Sequence, residues 1–236
     1  MIEMIKNIMQ KVAETLKGIK PESKIHILLD NGHSSSKAHN ITPGKRTPYL
    51  VSGVEPALSM YEGDFNRDVV RILAAKLRED GYNVHILVPE DEDISLGERV
   101  RRANKLCSQY GASNCIFVSI HSNAAGNGRQ WMTARGFSVH ICQGASKKSE
   151  LMANLLYDEA QNDGHFKMRK PLPNQKYWVN NFYVIKNTLC PAILSESGFY
   201  DNPEDCTFLL TSESKEAVAM YHYIALIRYI QEITKK

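Results

Sequence analysis

Two apolar runs in this chain end in a histidine. The first is Ile25-His26-Ile27-Leu28-Leu29-Asp30-Asn31-Gly32-His33, and Cys115-Ile116-Phe117-Val118-Ser119-Ile120-His121-Ser122-Asn123 repeats its grammar downstream. A short apolar run bounded by polar and glycine residues reads as a buried strand. In open α/β sheets the carboxyl edge of the strands is where ligands bind. Two strands that each deliver an imidazole to that edge can share one metal ion. A catalytic site built on them then needs two carboxylates from elsewhere in the chain.

Strands and helices alternate along the rest of the sequence. Strands are expected at about 24–30, 82–88, 115–120 and 136–141, with short ones at 182–185 and 191–196. Helices are expected at about 62–79, 95–110, 148–162 and 215–234, the first carrying Phe65, Val69, Ile72, Leu73 and Leu77 on one stripe. This order predicts an α/β fold: a single twisted, mostly parallel sheet of about six strands with helices on both faces. Residues 34–60, rich in Ser, Pro and Gly, read as a long loop over the carboxyl edge. Residues 1–20 hold an appended amphipathic helix over about 2–18, stopped by Gly18 and Pro21, and residues 21–236 form one domain.

Composition excludes several classes. Of 236 residues 43% are hydrophobic and 23% charged, an ordinary globular balance. The net charge of +3 comes without a basic cluster interleaved with aromatics, so nucleic acid is not an expected partner. No apolar run reaches the roughly 18 to 20 residues of a membrane span. The first helix, broken by Glu3, Lys6, Lys11 and Glu14, lacks the continuous apolar stretch of a signal peptide. Synthesis in the cytoplasm is therefore expected. The five scattered cysteines, with no C-x-x-C pair, read as reduced core thiols.

For His33 and His121 as metal ligands the third ligand best placed is Glu62, which opens a helix starting at the same sheet edge. A carboxylate there also favours the helix dipole, so the residues alone leave both roles open. Pro191-Ala192-Ile193-Leu194-Ser195-Glu196 ends a buried strand in an acid, an arrangement ionised carboxylates avoid unless paired or ligated. Glu196 is the candidate proton acceptor, and a helix cap or turn is its other reading. His140, in a strand near this site, is a weaker candidate for substrate contact. No G-x-S-x-G, H-E-x-x-H, G-x-G-x-x-G or P-loop motif occurs.

Five motifs stand in order: D-x-G-H (30–33), E-x-x-x-N-R (62–67), S-L-x-E-R-x-x-x-A-N (95–104), S-I-H-x-N-A (119–124) and P-A-I-L-x-E-x-G-F-x-x-N-P-x-D (191–205). Together, over about residues 24–232, the chain resembles the zinc-dependent N-acetylmuramoyl-L-alanine amidases of the amidase-3 type. The resemblance implies that His33, Glu62 and His121 hold one zinc ion and that Glu196 is the catalytic carboxylate. Residues 21–236 are then the catalytic domain. The substrate is the amide between the lactyl group of N-acetylmuramic acid and L-alanine in peptidoglycan, and the enzyme acts on the cell wall after release or export. It is expected to be a monomer. Asp30 or Asn31 is expected to orient His33 and Ser119 to orient His121. Asn123 is a further candidate near the site.

Relatives often carry glycines after the first histidine, where this chain has Ser34-Ser35-Ser36. The stretch Pro43-Gly44-Lys45-Arg46-Thr47-Pro48 also differs and offers Arg46 as a substrate contact. Such insertions are similar to those of amidases from Bacteroides-type gut bacteria and their phages, which points to a phage or prophage lysin. Two alternatives carry their own sequence requirements. A zinc carboxypeptidase-like peptidase should aim an arginine at a free C-terminal carboxylate. A catalytically inactive wall-binding module should have lost one of the four site residues, and all four are intact.

Overall fold

Ile27 and Leu29 point to one side of the first strand and Leu28 to the other, and all three are fully buried. A strand apolar on both faces has to be covered on both. The computed structural model describes residues 24–48 and 59–235 and shows that cover. β1 (His26–Asn31), β2 (Asn83–Ile86), β3 (Cys115–Asn123), β4 (Ser138–Ile141), β5 (Trp178–Val179) and β6 (Ala192–Phe199) form one sheet in the order β2-β1-β3-β6-β4-β5. Among these six described strands only the β4–β6 pairing is antiparallel.

On one face lie α1 (Glu62–Glu79), α3 (Lys147–Asp163) and the long α6 (Ser212–Thr234), where Ile27, Leu29, Val118 and Ile193 pack with Leu73, Leu156 and Ile224. The other face meets α2 (Leu96–Tyr110) and a single turn, α4 (Tyr183–Lys186). There Leu28, Phe117 and Leu194 pack with Val100, Ala103 and Val184. Side-chain oxygens fix three helix starts: Ser95 accepts from Glu98 N, Ser146 from Ser149 N and Thr211 from Ser214 N. The expected single, mostly parallel sheet covered on both faces is the one observed.

Three local readings change. Phe182 to Ile185 is not a strand. One helical turn buries the adjacent Val184 and Ile185 while leaving Tyr183 and Lys186 exposed, which alternation on a one-sided strand cannot do. The two-residue β5 and the helix α5 (Pro203–Leu209) were not expected; α5 starts on Asn202, which accepts from Glu204 N and Asp205 N, with Pro203 in its first turn. Strand β6 runs on past Glu196 to Phe199. The helix expected over 2–18 lies outside the described residues.

Candidate metal centre

The parallel pairing of β1 with β3 brings the ends of the two histidine-bearing strands side by side. Asn31 pairs with Ile120, and Gly32 N donates to Ile120 O at 3.0 Å. Gly32 has no alternative: a Cβ there would sit 2.1 Å from His121 Cε1. His33 follows with φ of +63°, a left-handed conformation that costs on the order of 1 kcal/mol or more for a residue with a Cβ. Its carbonyl is clamped by Arg67 Nη1 at 2.6 Å and Arg99 Nη2 at 3.5 Å, which offsets that cost. The backbone bend turns the imidazole toward α1.

Glu62 is the first residue of α1 and is 1% exposed. Its Oε1 stands 3.0 Å from His121 Nδ1 and its Oε2 stands 3.4 Å from His33 Nε2. One donor atom from each of the three residues lies within 4.8 Å of the others. Burial alone would raise the Glu62 carboxyl, but His33, His121 and Lys45 outweigh it and hold it below the usual range. Burial pushes His33 down to about 3, against the pull of Glu62. It acts the same way on His121, where the hydrogen bond and charge of Glu62 prevail and raise the imidazole.

The motif residues around these three are supports. Asn66 Nδ2 donates to Gly32 O at 3.1 Å and reaches Glu62 Oε1 at 3.4 Å. Arg99 Nη1 binds Asp30 Oδ1 at 2.7 Å and Asn31 O at 2.6 Å. The three serines after His33 tie the loop down. Ser34 N donates to Thr42 Oγ1 and Ser34 Oγ accepts from Thr42 N, while Ser35 Oγ and Ser36 N both donate to Asp64 Oδ1 at the start of α1. Gly63 lets this loop close: a Cβ there would fall 1.8 Å from Ser34 O.

Glu196 is the cross-strand neighbour of His121 in the β3–β6 register. Its Oε2 is enclosed without a hydrogen-bond partner. Burial, reinforced by Glu62 and opposed by His121, lifts its carboxyl to about 7. A carboxyl in that state takes up and gives back a proton near neutrality. His33, His121 and Glu196 open into a cleft of about 410 Å³.

Other expected residues sit differently. Asp30 does not touch His33 directly; it accepts from Ser119 Oγ at 2.6 Å and pairs with Arg99. Ser119 does meet His121, at Nε2 over 3.1 Å. Arg46 bridges Tyr61 through the backbone, and its neighbour Lys45 lines the cleft, with Nζ 3.8 Å from Glu62 Oε2. Asn123 Oδ1 accepts from Ala124 N and shapes the turn after β3. His140 is buried between Ser138 and Asn180 and packs against Phe182, which faces the cleft.

Two imidazoles and one carboxylate, His33, His121 and Glu62, fit a divalent cation. The buried Glu62 Oε2 has no hydrogen-bond partner of its own, as an oxygen reserved for a cation would. Such a donor set at the carboxyl edge of a mostly parallel sheet is a candidate metal site of the kind that suits an α/β hydrolase. The chain belongs to the N-acetylmuramoyl-L-alanine amidase family, whose model matches residues 27–228. It is 27% identical over 206 residues to N-acetylmuramoyl-L-alanine amidase CwlM of Bacillus licheniformis, covering 86% of this chain and 68% of that protein. It is likewise 27% identical to amidase AmiA of Escherichia coli, over 80% of this chain and 77% of the relative. The crystal structure of an N-acetylmuramoyl-L-alanine amidase from Clostridium difficile 630 shares the fold, with a TM-score of 0.71 at 24% identity, covering 90% of this chain and 98% of that one.

Proposed function

We propose that this hydrolase uses one zinc ion to cleave the amide between N-acetylmuramic acid and L-alanine in peptidoglycan, with residues 21–236 as its catalytic domain acting as a monomer on the cell wall after release or export. The observation that carries the reading is the meeting of His33, Glu62 and His121 with Glu196 next to them on the neighbouring strand. His33, Glu62 and His121 hold the ion. When bound, zinc supplies Lewis-acid chemistry, polarising the amide carbonyl and lowering the pKa of water.

The residues of the chain do the rest. Glu196 takes the proton from the attacking water at its enclosed carboxylate and delivers it to the leaving alanine nitrogen. Ser119 and Asp30 fix the tautomer of His121, and Arg67 and Arg99 hold the His33 backbone. Among the described residues no helix is long and apolar enough to cross a membrane.

The carboxypeptidase-like alternative lacks support in the cleft. Arg99 lines it but is 2% exposed and committed to Asp30 and to backbone carbonyls. The test is to strip the protein with a chelator, restore one equivalent of zinc, and assay new N-terminal alanine from purified peptidoglycan. Activity should vanish and return with the metal; activity that survives metal removal would overturn the zinc assignment.

A further inference from the structure

The cleft carries surface that proton transfer and metal binding do not use. Among the described residues Phe182 and Tyr183 are the only exposed phenylalanine, tyrosine or tryptophan side chains, at 38% and 49%, and both line this cleft with the exposed Leu96. Leaving such rings in water forgoes burial energy.

The Phe182 ring is also held in place. His140 meets it at a centroid distance of 5.2 Å and an interplanar angle of 63°. Asn180 Nδ2 donates to His140 Nδ1 at 3.0 Å, Asn180 N to Ile141 O at 2.9 Å and Phe182 N to Asn180 O at 2.8 Å. Just beyond, the buried Val184 and Ile185 anchor the turn that carries Tyr183. A ring fixed before a ligand arrives loses little entropy on binding it.

We infer that Phe182 and Tyr183 form a platform for the sugar ring on the muramoyl side of the scissile amide. The inference rests on the amidase reading. A pyranose has a face of C–H bonds, slightly positive, and a rim of hydroxyls. The face suits the electron-rich face of an aromatic ring. For the rim, Asp93 and Ser95 line the same cleft, and the Ser95 hydroxyl, an acceptor from Glu98 N, still has its hydrogen to donate. An apolar wall with a few convergent polar groups is the usual make-up of a small-ligand site. His140 is then a positioning residue that acts through Phe182.

The test uses the whole zinc-loaded protein and two readouts. Calorimetric titration with the disaccharide N-acetylglucosaminyl-N-acetylmuramic acid should show binding that Phe182→Ala and Tyr183→Ala each weaken roughly tenfold and that Phe182→Tyr largely keeps. In kinetics, the preference for a muramoyl-peptide over a lactyl-peptide without the sugar should fall by about the same factor, through KM rather than kcat. Leu210→Ala, an exposed apolar change outside the cleft lining, should alter neither. Disaccharide binding unchanged in both aromatic variants, or equal losses on both substrates, overturns the platform. Disaccharide binding that depends on Phe182 in a protein without amidase activity supports the platform and overturns the amidase reading instead.

Discussion

Ser119 Oγ donates to Asp30 Oδ2 across 2.6 Å, joining neighbouring strands from positions 89 residues apart. The same oxygen stands 3.1 Å from His121 Nε2. With its hydrogen committed to Asp30, the hydroxyl can only accept from the imidazole. That places a hydrogen on Nε2, so the proton that Nδ1 shares with Glu62 Oε1 at 3.0 Å is the one a bound metal would displace. Ser119→Ala should therefore weaken zinc binding about 10- to 100-fold, read by competition with a chromogenic chelator, and Ser119→Thr should restore most of it. Equal affinity in wild type and Ser119→Ala would contradict this tautomer assignment.

Asp30 has a second duty, toward Arg99. Asp30→Ala would strand the Arg99 guanidinium, 2% exposed, without its anionic partner. Breaking a buried pair from one side costs roughly 3–5 kcal/mol. Urea unfolding of the two proteins should show a loss of that size, and a loss below about 1 kcal/mol would mean that the carbonyls of Ile94 and Asn31 alone satisfy Arg99.

Gly32→Ala tests the close packing of the two histidine-bearing strands. The added methyl would meet His121 Cε1 at 2.1 Å, so the ring has to leave its place. The expected protein keeps its far-UV circular dichroism and loses zinc stoichiometry. One full equivalent of tightly bound zinc in Gly32→Ala would count against the packing described.

The fully buried His222 on α6 gives the fold a pH dependence of its own. Its Nδ1 donates to Val218 O at 2.7 Å and its Nε2 accepts from Ser195 Oγ at 2.8 Å, an arrangement of the neutral ring. Burial lowers its pKa from 6.5 to about 4. Between those values the unfolded chain binds a proton that the native protein refuses, so the stability from His222 is intact above pH 6.5 and is lost as pH falls toward 4. The loss is roughly 3 kcal/mol across the window. Urea unfolding at pH 7 and pH 4.5 should show it in wild type and a smaller slope in His222→Gln. Equal slopes would remove His222 as a source of acid sensitivity.

Much of this architecture could be read from the chain because its cause is local. Apolar runs such as 115–120 leave little but a doubly covered strand, and both histidines at their ends reach one edge because parallel strands keep one direction. Glu62 opening a helix placed it at that edge too. What escaped depends on contacts distant in sequence or on a single step of register. Asp30 faces Ser119 and Arg99, which no spacing near His33 reveals. Lys45 lines the cleft and its neighbour Arg46 does not, since adjacent residues in an extended segment point opposite ways. Phe182 to Ile185, aromatic and β-branched, has strand propensity, and tertiary burial of the Val184–Ile185 pair overrides it.

In the proposed mechanism His33, Glu62 and His121 hold the metal and Glu196 moves the proton. Its most direct test is Glu196→Gln, which keeps the shape of the side chain and removes its basicity. Zinc-loaded variant and wild type are compared for release of N-terminal alanine from purified peptidoglycan. The variant should retain one equivalent of zinc and cleave at least about 10²-fold more slowly. A Glu196→Gln protein that hydrolyses the wall at the wild-type rate would contradict it.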